Sequence, residues 1–309
     1  MGYYFRYMDN NRCYLCGSKQ TSLYLGSDKI LHCNSCGVVF LAPKQIPLNL
    51  DSYYQNNVFY AENADNPDLV RRMIKSAKFY LKIITKYIQP INNNLLIDIG
   101  SNYGALVEEA SRSGFKAIGL EKNHFLAQKG RRRGLDISEN NLVDLAVSFP
   151  VKIITAMHVM EHLTDPQSFI KDVYKKLETG GLFIIGIPNI KSYLAKKDGL
   201  SWRYIALEHL WYFSEKILCQ ILKEEGFKVL VVKRDATNLA DQSFKKLLHY
   251  LAGKPVVRDR FQAKSFFGRN SGLVPKPNWL KRIFKNFLIL AIKILHREDF
   301  IVIIAKKKE

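Results

Sequence analysis

No apolar run in this 309-residue chain is long enough to cross a bilayer as a helix, which takes about 20 residues. The longest candidate, FLILAIKIL at 287–295, is short and is broken by Lys293. Acidic residues are also scarce, with 28 Asp and Glu against 47 Lys and Arg, a formal charge of +19. That deficit argues against cationic partners and favours anionic ones, namely nucleic acid, phosphorylated substrates or an anionic membrane surface. Cysteine is sparse, five in all, too few for the disulfide lattice of a small secreted domain. The opening MGYYFRYMDN lacks an apolar stretch and a cleavage site, so no secretory signal is expected. Arg6 stands where myristoylation of Gly2 would need Ser or Thr. We expect a cytoplasmic protein.

What the chain does have is an ordinary globular composition, 47% apolar and 24% charged, with material for one large domain and an appendage. Four of the five cysteines form two tight pairs, Cys13-x2-Cys16 and Cys33-x2-Cys36, sixteen residues apart. Two such knuckles bring four thiolates to the corners of a tetrahedron, the ligand set of a structural zinc ion. Four thiolates leave no open position, so the spacing predicts structure, not catalysis. Cys219, inside a helical pattern, reads as a buried apolar residue.

Three consecutive segments follow: a zinc-ribbon module over 1–50, a main domain over 51–235, and 236–309, a basic helical insertion ending in a final strand. Asn66-Pro67 opens a helix, Asn as N-cap and Pro in the first turn. Short apolar runs at 95–99, 116–120, 151–157, 182–187, 227–232 and 299–305 then alternate with helical stretches at 103–113, 123–133, 165–178 and 214–225. This alternation predicts an α/β fold with a largely parallel sheet covered on both faces. WLKRIFKNFLILAIKILHRE at 279–298 is a basic, apolar helix candidate, to be buried against the sheet or another subunit, or laid on a membrane surface.

The most informative stretch is LLIDIGSNYGALVE at 95–108, an apolar strand, an acid, a glycine turn and a helix. Such a turn offers backbone N–H groups to an anionic or polar ligand. A second strand, FKAIGLEKN, ends in Glu121, 23 residues after Asp98, the spacing at which an acid meets ribose hydroxyls. Asn102 occupies a position where a short polar side chain tolerates unusual backbone angles.

Asp98-x-Gly100-x-x-x-Gly104, Glu121, HVMEHLTDP at 158–166 and LETGGLFIIGIPN at 177–189 together resemble the class I S-adenosylmethionine-dependent methyltransferases, over about 70–235. With the cysteine pairs, the chain resembles a branch related to sugar C-methyltransferases, whose turn also reads Gly-Ser-Asn. The resemblance implies a Rossmann-like sheet, mostly parallel with its last strand antiparallel. It implies that Gly100, Ser101 and Gly104 lie by the methionine part of the cofactor and Glu121 by its ribose, with Asp98 and Asn102 also among the cofactor-binding residues. Asn141 or Leu142 would lie by the adenine, and Met157 and His158 on the far side.

Two His/Glu clusters compete for the role of acceptor-side base. His158, Glu161 and His162 fall on one face if helical, either as a structural or cofactor-side feature or as a catalytic or metal-binding one. The second cluster, ALEHLWYFS at 206–214, is similar to the segment of sugar C-methyltransferases whose second His is the base. That likeness points to His209, assisted by Glu208. Ala206 and Leu207 depart from it, and Ala206 stands where those enzymes carry a catalytic Tyr. Trp202, Arg203, Tyr204 and Trp211 form either a carbohydrate-stacking wall or core. The expected activity is methylation of a saccharide or related small metabolite, as in surface-polysaccharide synthesis. The competing readings are an RNA methyltransferase gripping phosphates with its ribbon and basic surface, and a non-catalytic scaffold that binds zinc and cofactor.

Overall fold

The structure, a computed structural model, describes residues 12–47, 65–91, 94–235 and 299–308. The 279–298 helix candidate, most of the 236–309 segment and residues 1–11 lie outside the described residues. The chain divides into two compact units. One takes in the described residues of Met1–Ile46, Ile187–Leu218 and Val232–Val302, the other those of Pro47–Gly186, Cys219–Val231 and Ile303–Glu309. The units therefore interleave along the chain.

In the first unit, β1 (Thr21–Tyr24), β2 (Ser27–Cys33) and β3 (Val39–Leu41) form an antiparallel sheet. Its fourth strand comes from far downstream: β9 (Trp211–Tyr212) pairs antiparallel with β3, Val39 opposite Tyr212 and Phe40 opposite Trp211. The bond from Leu41 N–H to the Leu210 carbonyl, 2.9 Å, extends this ladder. Ile30, Val39, Ile190, Leu194, Trp202, Ile205 and Tyr212 share one buried cluster beneath it. The ribbon thus borrows its core from the aromatic-rich stretch after residue 187. A ribbon of some 40 residues has too little apolar surface to stand alone, and the borrowed segment supplies it.

The second unit holds most of a seven-stranded sheet. Its strands are β4 (Leu95–Ile99), β5 (Lys116–Leu120), β6 (Ile137–Ser138), β7 (Val151–Met157), β8 (Leu182–Pro188), β10 (Phe227–Asp235) and β11 (Phe300–Lys307). Their order is β10-β11-β8-β7-β4-β5-β6, and β8, β7, β4, β5 and β6 run parallel. Lys307 N–H reaches Gly181 O, before β8 begins, and Asn189 N–H, after β8 ends, reaches Asp299 O, so β11 runs antiparallel to β8. This is the Rossmann-like arrangement the sequence predicts.

The helices are α1 (Pro67–Ile84), α2 (Ala105–Arg112), α3 (His124–Arg132), α4 (Pro166–Lys176), α5 (Tyr193–Asp198) and α6 (Glu215–Glu224). Asn66 caps α1 as expected, and two further caps follow the same pattern. Asn66 Oδ1 accepts from Asp68 and Leu69 N–H, Asn123 Oδ1 from Leu126 N–H, and Asp165 Oδ1 from Ser168 N–H. The central strands are apolar on both faces: Leu95, Leu96, Ile97, Ile153, Ile154, Phe183 and Ile185 are buried. That explains why they read as unbroken apolar runs and not as alternating ones.

Candidate functional site

The turn after β4 is tightly constrained. Gly100 has φ +68°, and a Cβ there would stand 2.7 Å from Val159 Cγ2, so only glycine fits. Gly104, with φ +86°, heads α2, and a Cβ there would lie 2.6 Å from Leu135 Cδ1. Between them Asn102 takes φ 54°, and its Oδ1 accepts from Tyr103 N–H at 2.8 Å, the local bond that makes Asn tolerable in this region. Ser101 is buried, and its Oγ has no hydrogen-bond partner among the described residues.

The N–H groups of this turn are not left open to an anionic or polar ligand as the sequence suggests. Gly100 and Ser101 N–H both donate to Leu120 O, Asn102 N–H to Glu121 Oε2, Tyr103 N–H to Asn102 Oδ1, and Gly104 N–H to Ser101 O. Every backbone donor from 100 to 104 is already engaged inside the protein. A phosphate would find no free backbone donor here. A ligand that brings its own hydroxyls and a positive charge would find acceptors instead.

Two acids flank the turn. Glu121, at the end of β5, accepts from Asn102 N–H with Oε2 and from Asn123 N–H with Oε1, each at 2.8 Å. Burial pushes its carboxyl up, against the lowering pull of those N–H groups. Asp98, in β4, is buried and accepts from Thr155 Oγ1 at 2.6 Å. Burial pushes Asp98 up to about 7, the Thr155 bond opposing the rise and the charge of Glu121 adding to it. Thr155 was missed in the sequence; its one signal is a hydroxyl inside the apolar run VKIITAM, directly opposite Asp98 in the ladder.

The structure brings Asp98, Gly100, Ser101, Asn102, Gly104 and Glu121 together, with Val159 against Gly100. His158 follows β7 with φ 57°, a strained conformation for histidine, and its N–H donates to Gly186 O. Its Nδ1 lies 3.3 Å from Oε1 of the buried Glu161. Met160–His162 forms a single 3-10 turn, so the helical condition on which the three would share one face is not met. Met157 is half-buried at the end of β7. Leu142 is buried, while Asn141 is exposed and donates to Asp144 Oδ2 at 2.9 Å.

The four paired cysteines converge in the first unit. Cys13 and Cys36 Sγ are 3.7 Å apart, Cys16 and Cys33 Sγ 3.6 Å, and all four lie within 4.8 Å of one another. A tetrahedron with metal–sulfur bonds of about 2.3 Å has sulfur–sulfur edges of about 3.8 Å, so the set fits such an ion. Gly17 N–H returns to Cys13 O, Gly37 N–H to Cys33 O, and Cys36 N–H points at Cys33 Sγ, closing both knuckles.

Glu208 and His209 belong to the same unit. Trp202 and Trp211 are each 1% exposed, which removes them from any stacking wall and places them in the core. Trp211 sits against Phe40 and Tyr14 at 6.1 Å, and Trp202 Nε1 donates to Asp299 Oδ1 at 2.8 Å. Asp299, unsuspected from sequence although it heads the apolar run of β11, also accepts from Ser192 Oγ and pairs with Arg203 at 3.1 Å. Burial pushes its carboxyl up, and Arg203, Trp202 and Ser192 pull it back.

This network fixes the loop that carries His209. The His209 ring stacks on Tyr204 at 6.1 Å, and Nδ1 lies 2.7 Å from the Tyr204 carbonyl. A carbonyl only accepts, so Nδ1 carries the proton and Nε2 is the basic nitrogen.

Known proteins share this construction. Residues 71–232, just over half of the chain, match the family model described as Methyltransferase domain. A ubiquinone biosynthesis O-methyltransferase of Caulobacter vibrioides is 33% identical over 110 residues, 32% of this chain and 43% of that protein. The C-methyltransferase NovU of Streptomyces niveus is 23% identical over 147 residues, 46% of this chain and 34% of that protein. The chain thus spans less than half the length of these two relatives. The crystal structure of a SAM-dependent methyltransferase from Thermotoga maritima superposes with TM-score 0.50 at 17% identity, covering 83% of this chain and 100% of that one. The glycine turn, the acid ending β5 and the sheet order all lie in or around the matched span, and the chain belongs to the methyltransferase-domain family.

Proposed function

We propose that this protein is an S-adenosylmethionine-dependent methyltransferase acting on a saccharide or related small metabolite. One observation carries the cofactor reading: the turn from 100 to 104 has consumed its own N–H donors and stands beside two acids, Asp98 and Glu121. That surface suits a cofactor bearing a positive charge and ribose hydroxyls, and it disfavours a phosphate. Bound there, S-adenosylmethionine would supply an electrophilic methyl group. Gly100, Ser101, Asn102 and Gly104 would hold its methionine part, Glu121 its ribose, and Asn141, Leu142, Met157 and His158 its remaining sides. The orphaned Ser101 hydroxyl fits a polar ligand in that place.

His209 is the proposed acceptor-side base, with Glu208 assisting. The Nδ1–H bond to Tyr204 holds the ring in the tautomer whose Nε2 takes a proton, and Tyr204 fixes its plane. His158 and Glu161 form the second proposed base. Cys13, Cys16, Cys33 and Cys36 would hold one structural zinc ion, and the ribbon with its borrowed strand would form a module separate from the cofactor-binding sheet. The likeness of the 206–214 segment to sugar C-methyltransferases supports the saccharide reading, and NovU, named as a C-methyltransferase, agrees with transfer to carbon.

The test is incubation with labelled S-adenosylmethionine and separate nucleotide-sugar, glycan and RNA pools. Label is expected in a saccharide fraction. Label confined to RNA, or binding of cofactor with no labelled product from any pool, would overturn the reading.

A further inference from the structure

Three lysines share one face at an edge of the seven-stranded sheet. Side chains alternate along a strand, so Lys228 and Leu230 of β10 stand on one face, and Lys306 and Lys308 at the end of β11 stand together on theirs. β10 and β11 are neighbours, with β8 next in order. With Leu182 of β8 and Tyr87, which follows α1, they line one open depression of about 520 Å³. Lys307 is accounted for otherwise: its Nζ donates to Leu177 O at 2.7 Å and lies 4.7 Å from the Tyr174 ring.

The other three cations have no such anchor. Among the described residues, Lys228, Lys306 and Lys308 have no hydrogen-bond or ion-pair partner, and no acid lines the depression. Among the described residues, Glu225, three residues before Lys228, is paired with Lys171, and Glu178, two before Gly180, with Lys152. Like charges gathered in a concavity raise one another's potential and focus it into the space they surround, so an anion there relieves all three at once. The floor is different in kind. Leu230 and the 41%-exposed ring of Tyr87 offer apolar and aromatic surface, backed by the buried Leu182, which a bare inorganic ion would not use.

The place is distinct from the cofactor turn. β4 and β8 both run parallel to β7, and the turn follows the carboxyl end of β4, whereas Leu182 begins β8. The depression therefore opens at the opposite end of the parallel strands. We propose that it binds a small phosphorylated metabolite, its phosphate held by Lys228, Lys306 and Lys308 and its body laid on Leu230 and Tyr87. Concavity and an apolar floor favour a small molecule over a nucleic-acid backbone, which needs an extended basic stripe.

The probe is inorganic pyrophosphate, titrated calorimetrically into the full chain at low and physiological salt. Wild type is expected to bind one equivalent. Lys228→Gln/Lys306→Gln/Lys308→Gln should weaken binding at least about tenfold, the loss of three charge-assisted contacts. Lys75→Gln/Lys78→Gln/Lys175→Gln removes equal charge from exposed helix positions and should leave affinity unchanged. Far-UV circular dichroism and melting report whether each variant folds, and Lys306→Gln alone, expected to weaken binding severalfold, serves if the triple variant does not. Equal weakening by both triple variants, or several equivalents bound per wild-type chain, would overturn the proposal. So would a short RNA that outcompetes pyrophosphate through the same three lysines.

Discussion

Replacing Glu121 separates its service to the turn from its service to the cofactor. Its two oxygens each hold one backbone N–H, Asn102 through Oε2 and Asn123 through Oε1. A hydrogen bond to a charged group contributes about 1.5–3 kcal/mol, and the lower end applies because the side chain is only half-buried. Glu121→Ala removes both acceptors and should cost about 3 kcal/mol of stability. Glu121→Gln keeps one carbonyl oxygen but sets an amide N–H2 against the other donor, costing about half as much. At about 2 °C per kcal/mol, the melting point should fall by roughly 6 °C and 3 °C respectively. Cofactor affinity should fall by roughly 1–3 kcal/mol in the alanine variant, about 5- to 150-fold, because the ribose loses its acceptor. Differential scanning calorimetry and isothermal titration with S-adenosylmethionine measure the two effects independently. If melting falls as expected while affinity stays at the wild-type value, Glu121 serves only the turn and the ribose assignment is wrong. If neither moves, the hydrogen-bond account fails as well.

Asp98 makes the stability of the free protein pH-dependent. Its folded value of about 7 lies above the ordinary carboxylate range, so from about pH 4 to 7 the folded state keeps a proton that the unfolded chain has lost. Stability from this group should decline as pH rises through that window and level off above it. Asp98→Asn should flatten that limb of a melting-point-against-pH curve, and an unchanged slope would refute the assignment. His209→Asn should slow turnover by about 10²–10⁴ while cofactor affinity holds, and full activity would return the histidine to a purely structural part. Cys16→Ser should lower zinc below one equivalent per chain and alter the near-ultraviolet signal of Tyr14 and Trp211, 6.1 Å apart. Wild-type protein purified under reducing conditions without stoichiometric zinc would refute that ligand set.

Local chemistry was legible in the sequence, and distant pairing was not. The runs at 95–99, 116–120 and 151–157 match β4, β5 and β7 residue for residue, because strands buried on both faces are unbroken apolar runs ended by glycine, proline or charge. The cysteine knuckles were equally plain, since each ligand pair lies within four residues. By contrast, nothing around Trp211 announces that it pairs with Phe40, and a two-residue strand has no periodicity to read. Asp299 gave little more, one acid before an apolar run whose partners lie about 100 residues upstream. The glycine pattern at 100–104 was visible, yet it could not tell whether the N–H groups faced a ligand or the protein. The hydrogen bonds to Leu120 and Glu121 decide that.

The borrowed strand sets an order on synthesis. Val39–Leu41 leaves the ribosome early, but its ladder partner Trp211–Tyr212 is made about 170 residues later, roughly 10–30 s at ordinary elongation rates. Throughout that interval the nascent hairpin presents an unpaired edge of Val39, Phe40 and Leu41, all three buried in the finished protein. The whole stretch from β4 to β8 is translated in the meantime. The first part of the chain to appear is thus among the last to close, and whatever guards that edge meanwhile must let go when Trp211 arrives.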